Sequence, residues 1–198
     1  MSLLEAVSST VTPVLMKGYA DVSLRALLKR RDEQAAAWLF DELSDEVNRI
    51  VWRLLGGDSE HDDIVHEAMC LILKSAHRVN DLSRLKSWGR SVAVNTVKMT
   101  LRRRKWRRLF TELNEELEEE RFESWVPDEQ KREEVRNLYR ALNHLSSSER
   151  IALVLRHVEE FELTEVAEAC QVSLATIKRW LQKAEQKLKE RLQWGGEL

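Results

Sequence analysis

The sequence predicts an all-α protein: two small helical domains joined by an acidic linker. Three observations predict it. Only 2 Pro and 6 Gly occur among 198 residues, so little interrupts helix formation. Apolar residues recur three and four positions apart, the spacing of one helix face. Charge is segregated: residues 102–108 hold six bases and no acid, whereas 111–134 hold eleven acids against three bases. The formal net charge of −2 hides this contrast, and local charge decides which faces can meet phosphate.

Residues 1–22 show weak patterning and read as an arm or an extra helix. From about Ser23 to Leu55, the positions Leu24, Leu27, Leu28, Leu39, Leu43, Val47, Ile50, Val51 and Leu54 carry helical spacing, and Gly56-Gly57 ends the segment. A second amphipathic helix covers about Glu60 to Arg78, with Ile64, Val65, Ala68, Leu71, Ile72 and Ala76 on its core side. Val79 to Ser83 breaks it, and Asp81 or Ser83 can cap the next helix. That helix places Leu85, Trp88, Val92, Thr96 and Met99 on one face and runs into Arg102-Arg103-Arg104-Lys105-Trp106-Arg107-Arg108. A first domain therefore spans 23–108.

Residues 109–130 lose periodicity and turn acidic, as a linker does. A second domain, 131–194, begins with Val135, Leu138, Leu142 and Leu145 on its first helix. Ser146 and Glu149 stand at capping-box spacing for the next. Then comes the most specific stretch. Val166, Ala167 and Ala169 pack one short helix, Val172 plugs a turn, Ser173 caps, and Ile177, Leu181, Ala184 and Leu188 form the buried stripe of another. This is the pattern of a helix-turn-helix, whose second helix enters the DNA major groove.

The exposed face of that helix fits the task. Ala175 and Thr176 are short enough to let it approach the bases. Thr176, Arg179 and Gln182 suit base edges, and Lys178 and Lys183 suit phosphates. The plainer alternative is a solvated basic face on an ordinary helical hairpin. The run at 102–108 is less specific; Trp106 within it could stack on a base or anchor the core. Cys70 and Cys170 each sit in an apolar helical pattern and read as small buried hydrophobes rather than a disulfide or zinc pair. His61 and His66 lie five apart and do not share a helix face, so no metal site is expected. No cofactor is expected, and no catalytic constellation marks an enzyme. No apolar run approaches a membrane span, and no basic region precedes an apolar one at the N-terminus, so a cytoplasmic protein is expected.

From about Ser23 to Leu192 the chain resembles a bacterial ECF (extracytoplasmic function, group 4) sigma factor of the sigma-70 family. Three stretches carry the resemblance. Asp63-Ile64-Val65-His66-Glu67-Ala68-Met69 is similar to the core-polymerase-binding motif, with His66 where the family usually has Gln. Leu85-Lys86-Ser87-Trp88 through Asn95-Thr96-Val97-Lys98 to the arginines is similar to the helix that recognises the −10 promoter element. Leu142 to Leu192 is similar to sigma domain 4, with Gln171 where the turn usually has Gly and Trp180 where Arg is common. The resemblance implies core RNA polymerase and promoter DNA as partners, through the β′ coiled coil and the β-flap, and an anti-sigma factor. It implies that Asp63, Ile64, His66 and Glu67 dock polymerase. The −10 strand would meet Asn80, Asp81, Ser83, Arg84, Trp88, Asn95, Lys98, Arg102, Arg103 and Arg104. The −35 duplex would meet Ser173, Thr176, Lys178, Arg179, Gln182 and Lys183. The acidic linker resembles the segment threaded through the polymerase cleft, although a merely solubilising linker would have the same composition.

Two rival functions are open to such a sequence. A stand-alone helix-turn-helix regulator would bind its operator without polymerase. A sigma-like adaptor would bind a partner protein and no DNA; the bases at Arg102 to Arg104 and at Lys178-Arg179 argue against it.

Overall fold

The computed structural model describes residues 21–56, 58–110 and 137–194, and every regular element among them is helical. The expectations for residues 1–20 and for the acidic segment 111–136 lie outside the described residues.

The helical spacing between Ser23 and Leu55 covers two helices, not one. Helix α1 (Asp21–Lys29) stops where Arg31 turns into the left-handed region at φ 59. The Asp32 side chain then accepts the Ala35 amide at 2.9 Å and starts α2 (Glu33–Leu55). Gly56 closes α2 at φ 75, a conformation that glycine adopts without strain. Helix α3 (His61–Ser75) opens with Asp62 and Asp63 against its positive end and runs into a 3-10 turn, Ala76–Arg78.

A second 3-10 turn, Leu82–Arg84, begins at Asp81, whose carboxylate accepts the Ser83 amide at 2.9 Å. It leads into α4 (Leu85–Phe110), 26 residues and about 39 Å long. Helices α2, α3 and α4 pack against one another, and α1 lies on the first 3-10 turn. Gly89 lets α2 and α4 approach closely: a Cβ there would stand 3.2 Å from Leu43. Leu85, Ala93, Val94 and Val97 of α4 are buried, as is Thr96, whose hydroxyl donates to the Val92 carbonyl. Met99, expected on the core side, is 72% exposed.

In the C-terminal half, residues 137–143 form α5, followed by α6 (Ser147–His157), α7 (Leu163–Cys170) and α8 (Leu174–Trp194). The capping box forms as its spacing predicts: Ser146 Oγ accepts the Glu149 amide, and Glu149 Oε2 accepts the Ser146 amide at 2.8 Å. Gln171 takes the left-handed conformation at φ 54 and directs the chain from α7 into α8. The stripe Ile177, Leu181 and Ala184 is buried against α6 and α7.

Candidate nucleic-acid interface

The second helix of the helix-turn-helix, α8, is held by its apolar stripe, and this fixes which face it offers. Ser173 Oγ accepts the Thr176 amide at 3.2 Å and lies 2.9 Å from the Thr176 hydroxyl, so both groups are engaged in the cap. Lys178, Arg179, Gln182 and Lys183 are exposed. These four cationic or amide-bearing side chains share one outward surface with the helix N-terminus.

The loop 79–84 and the start of α4 form the second candidate surface. Asp81 and Ser83 engage each other: Ser83 Oγ donates to Asp81 Oδ1 at 2.7 Å. This bond, with the Ser83 amide, holds the Asp81 carboxyl below its ordinary range. Asn80 accepts from Arg25 of α1 at 3.2 Å. Arg84, Arg102 and Arg103 are exposed, and Trp88, Asn95 and Lys98 are half-buried. Asn80, Asp81, Arg84, Ser87 and Trp88 line one side of a cleft of about 390 Å³; Glu168 and Gln171 of the C-terminal half line the other.

Two expected site residues stand elsewhere. Arg104 makes a bidentate ion pair with Asp58, and its Nη2 lies 2.7 Å from Glu60; its side chain is only 13% exposed. It ties α4 to the turn before α3, and its guanidinium is taken up by these carboxylates. Burial alone would raise the Asp58 carboxyl, but the hydrogen bond from Arg104, the Glu60 amide and the charges of Arg104 and Arg150 hold it below its ordinary value. Ile64, expected at the polymerase surface, is buried at 2% in the core, because it faces α2 and α4. Its neighbours Asp63, His66 and Glu67 are exposed. His66 Nε2 lies 3.5 Å from the half-exposed Cys70 thiol. Cys170 is buried, which pushes its thiol up to about 11 against the opposing charge of Lys98.

Both surfaces fall within regions of recognised type. Residues 39–107 match Sigma-70 region 2, and residues 136–188 match Sigma-70, region 4, together more than half of the chain. The chain belongs to the sigma-70 family. It is a sigma factor of the ECF type, and its function is promoter-specific transcription initiation.

Among similar proteins, the sigma factor shares 22% identity over 150 residues with the ECF RNA polymerase sigma factor SigX of Bacillus subtilis, covering 74% of this chain and 77% of that one. It shares 31% over 159 residues with the ECF RNA polymerase sigma factor SigG of Mycobacterium tuberculosis, covering 69% of this chain but only 43% of that one. Its fold matches the sigma factor RpoE of Bartonella quintana, solved with the anti-sigma factor NepR, at a TM-score of 0.55 and 17% identity over 78% of this chain and 94% of that one. The family consists of transcription initiation factors, and its members act with RNA polymerase on promoter DNA. No helix among the described residues is long and apolar enough to cross a membrane.

Sequence reasoning missed the residues that join the two halves. Arg90 reaches Glu46 of α2 and Glu165 of α7. Arg150, buried at 5%, donates to the Leu54 carbonyl at 3.0 Å. The only signal available was an arginine at the head of the apolar run 151–155, a position that requires a partner once buried.

Proposed function

We propose that the sigma factor divides its work among the surfaces described above. Asp63, His66 and Glu67 dock the β′ coiled coil of core polymerase, and Ile64 supports them from beneath. The loop of Asn80, Asp81, Ser83 and Arg84, with Trp88, captures an unstacked base of the −10 non-template strand, while Asn95, Lys98, Arg102 and Arg103 track its backbone. Thr176, Arg179 and Gln182 read −35 base edges; Ser173, Lys178 and Lys183 hold phosphates.

The reading divides the chain into a −10 domain at 23–108, an acidic linker at 109–130 and a −35 domain at 131–194 that meets the β-flap. The polymerase supplies the phosphoryl-transfer chemistry, so the sigma factor is not itself an enzyme and works in the cytoplasm. An anti-sigma factor, as in the RpoE complex, would be its antagonist.

One observation carries the reading. The outward face of α8 presents Lys178, Arg179, Gln182 and Lys183 beside a capped N-terminus, while its apolar stripe is buried. Run-off transcription with bacterial core polymerase, with and without this protein, over a promoter library tests it. Transcripts that depend on the protein and share two spaced elements support it. Duplex binding with no transcripts would favour the stand-alone regulator.

A further inference from the structure

One turn of α3 sets a nitrogen donor and a sulfur donor side by side. The buried residues Ile64, Ala68, Met69 and Ile72 fix the rotation of the helix. Positions 66 and 70, four residues apart, therefore share its outer side. His66 is exposed and Cys70 is half-exposed. The Cys70 thiol lies 3.5 Å from His66 Nε2.

That separation has a geometric meaning. Zinc binds imidazole nitrogen at about 2.0–2.1 Å and thiolate sulfur at about 2.3 Å. At the tetrahedral angle the two donors then stand about 3.5–3.6 Å apart; a right angle brings them to about 3.1 Å, and a linear arrangement spreads them to about 4.3–4.4 Å. The pair on α3 matches the tetrahedral value. Thiolate with imidazole also selects a borderline-soft cation such as zinc over magnesium or calcium, which take oxygen ligands.

We propose that His66 Nε2 and Cys70 Sγ form an open zinc site on α3, and that zinc and core polymerase exclude each other there. The exclusion rests on the reading of Asp63, His66 and Glu67 as the polymerase surface: Nε2 cannot hold the ion and contact the enzyme at once. Loading is an exchange of proton for metal. The S–H bond breaks, its proton passes to solvent, and the thiolate and the Nε2 lone pair each bond to zinc, with no change of oxidation state. Among the described residues no group of three or more His, Cys, Asp or Glu is placed to hold a metal ion, so water completes the tetrahedron. Structural zinc sites carry four protein ligands; an ion held by two exchanges with solvent and follows zinc supply. The exposed carboxylates of Asp62, Asp63 and Glu67 draw cations to this end of α3, offset in part by Lys74 one turn beyond Cys70. Glutamine, usual in the family at position 66, offers zinc no comparable donor, so the site belongs to this chain.

The test uses the full, untagged, reduced chain with His66→Gln and Cys70→Ser, and circular dichroism checks that all three hold the same helix content. Isothermal titration calorimetry reads zinc binding. Cobalt(II) in place of zinc reads the donors, because sulfur ligation adds a charge-transfer band and tetrahedral geometry gives intense visible bands. Cys170 is buried, so a sulfur band reports Cys70. The expected result is one zinc per chain, both cobalt signatures, and zinc affinity at least about tenfold weaker in either variant, since even the loss of an outer-shell partner costs that much. No zinc binding, binding that survives both substitutions, or cobalt spectra without the sulfur band overturns the site and leaves the polymerase surface untouched.

Polymerase binding is then measured with zinc at about ten times its dissociation constant, where exclusive binding lowers the apparent polymerase affinity about elevenfold. The drop should appear in the natural chain and not in Cys70→Ser, in which any action of zinc on polymerase itself would persist. Equal or tighter polymerase binding with zinc overturns the exclusion while the site stands. Asp63→Arg and Glu67→Arg then give the cause: polymerase binding that ignores them as well overturns the docking reading itself.

Discussion

Arg104 shows how one residue can leave its neighbours' company. It lies in a run of seven with six bases, yet its guanidinium is bound by Asp58 and Glu60. The run was legible in the sequence; the partner, 46 positions away, was not. Removing one member of a buried pair leaves the other charge unpaired. Arg104→Ala should therefore lower stability by about 3 kcal/mol in urea unfolding, whereas Arg103→Ala, exposed, should stay within roughly 0.5 kcal/mol. The folded Asp58 carboxyl titrates below its ordinary 3.8. Its stabilisation is thus fully present above that value and is lost as pH falls through the folded value. In Arg104→Ala this acid-sensitive component should vanish from the stability–pH curve below about pH 4. At the −35 surface, Arg179→Ala should relax sequence preference, costing roughly 1–3 kcal/mol on the cognate element only. Lys183→Ala should weaken all duplexes alike and reduce the salt slope by about 1. Equal losses from both variants on every duplex would refute this division.

The elements were legible where local rules act alone. Ser146 and Glu149 announced their capping box by spacing, and the structure forms it. Ser146→Ala should cost about 1 kcal/mol of thermal or urea stability. Ser173 and the stripe of α8 were equally plain, because this helix buries a single face. The break at Arg31 was not legible: the apolar spacing runs on through it, and only the left-handed turn separates α1 from α2. Met99 failed for a different reason. Helix α4 is covered by α2 and α3 on one side and by α7 on another, so its buried face widens and shifts along its length, and the single stripe drawn from Leu85 leaves the core. Gln171 pays for a turn that glycine makes without a Cβ clash. The left-handed conformation costs roughly 1–2 kcal/mol, partly offset by the greater unfolded freedom of glycine. Gln171→Gly should therefore raise the melting temperature, by an amount corresponding to about 0.5–1 kcal/mol.

Across the whole molecule, the interface between the halves is uneven, and this too escaped the sequence, since each contact pairs residues far apart in the chain. At one end lie exposed pairs such as Arg84 with Glu168, whose side chains are 68% and 43% accessible. At the other, buried Arg150 binds the end of α2. Salt should act on these ends differently. Between about 0.05 and 0.5 M, the screening length falls from roughly 14 to 4 Å. Hydrogen exchange should then quicken in α7 and in the facing turns of α4, while amides near Leu54 and Arg150 keep their protection. A uniform change across both ends would count against this grading. The two thiols carry a practical corollary. Cys70 is half-exposed beside His66, on the surface assigned to polymerase, whereas Cys170 is buried and holds its proton to about 11. Thiolate is the reactive form, so a maleimide dye at neutral pH should decorate the first and spare the second. The natural chain thus accepts a single fluorophore without engineering, seated where arrival of the large enzyme would quench or shift its emission.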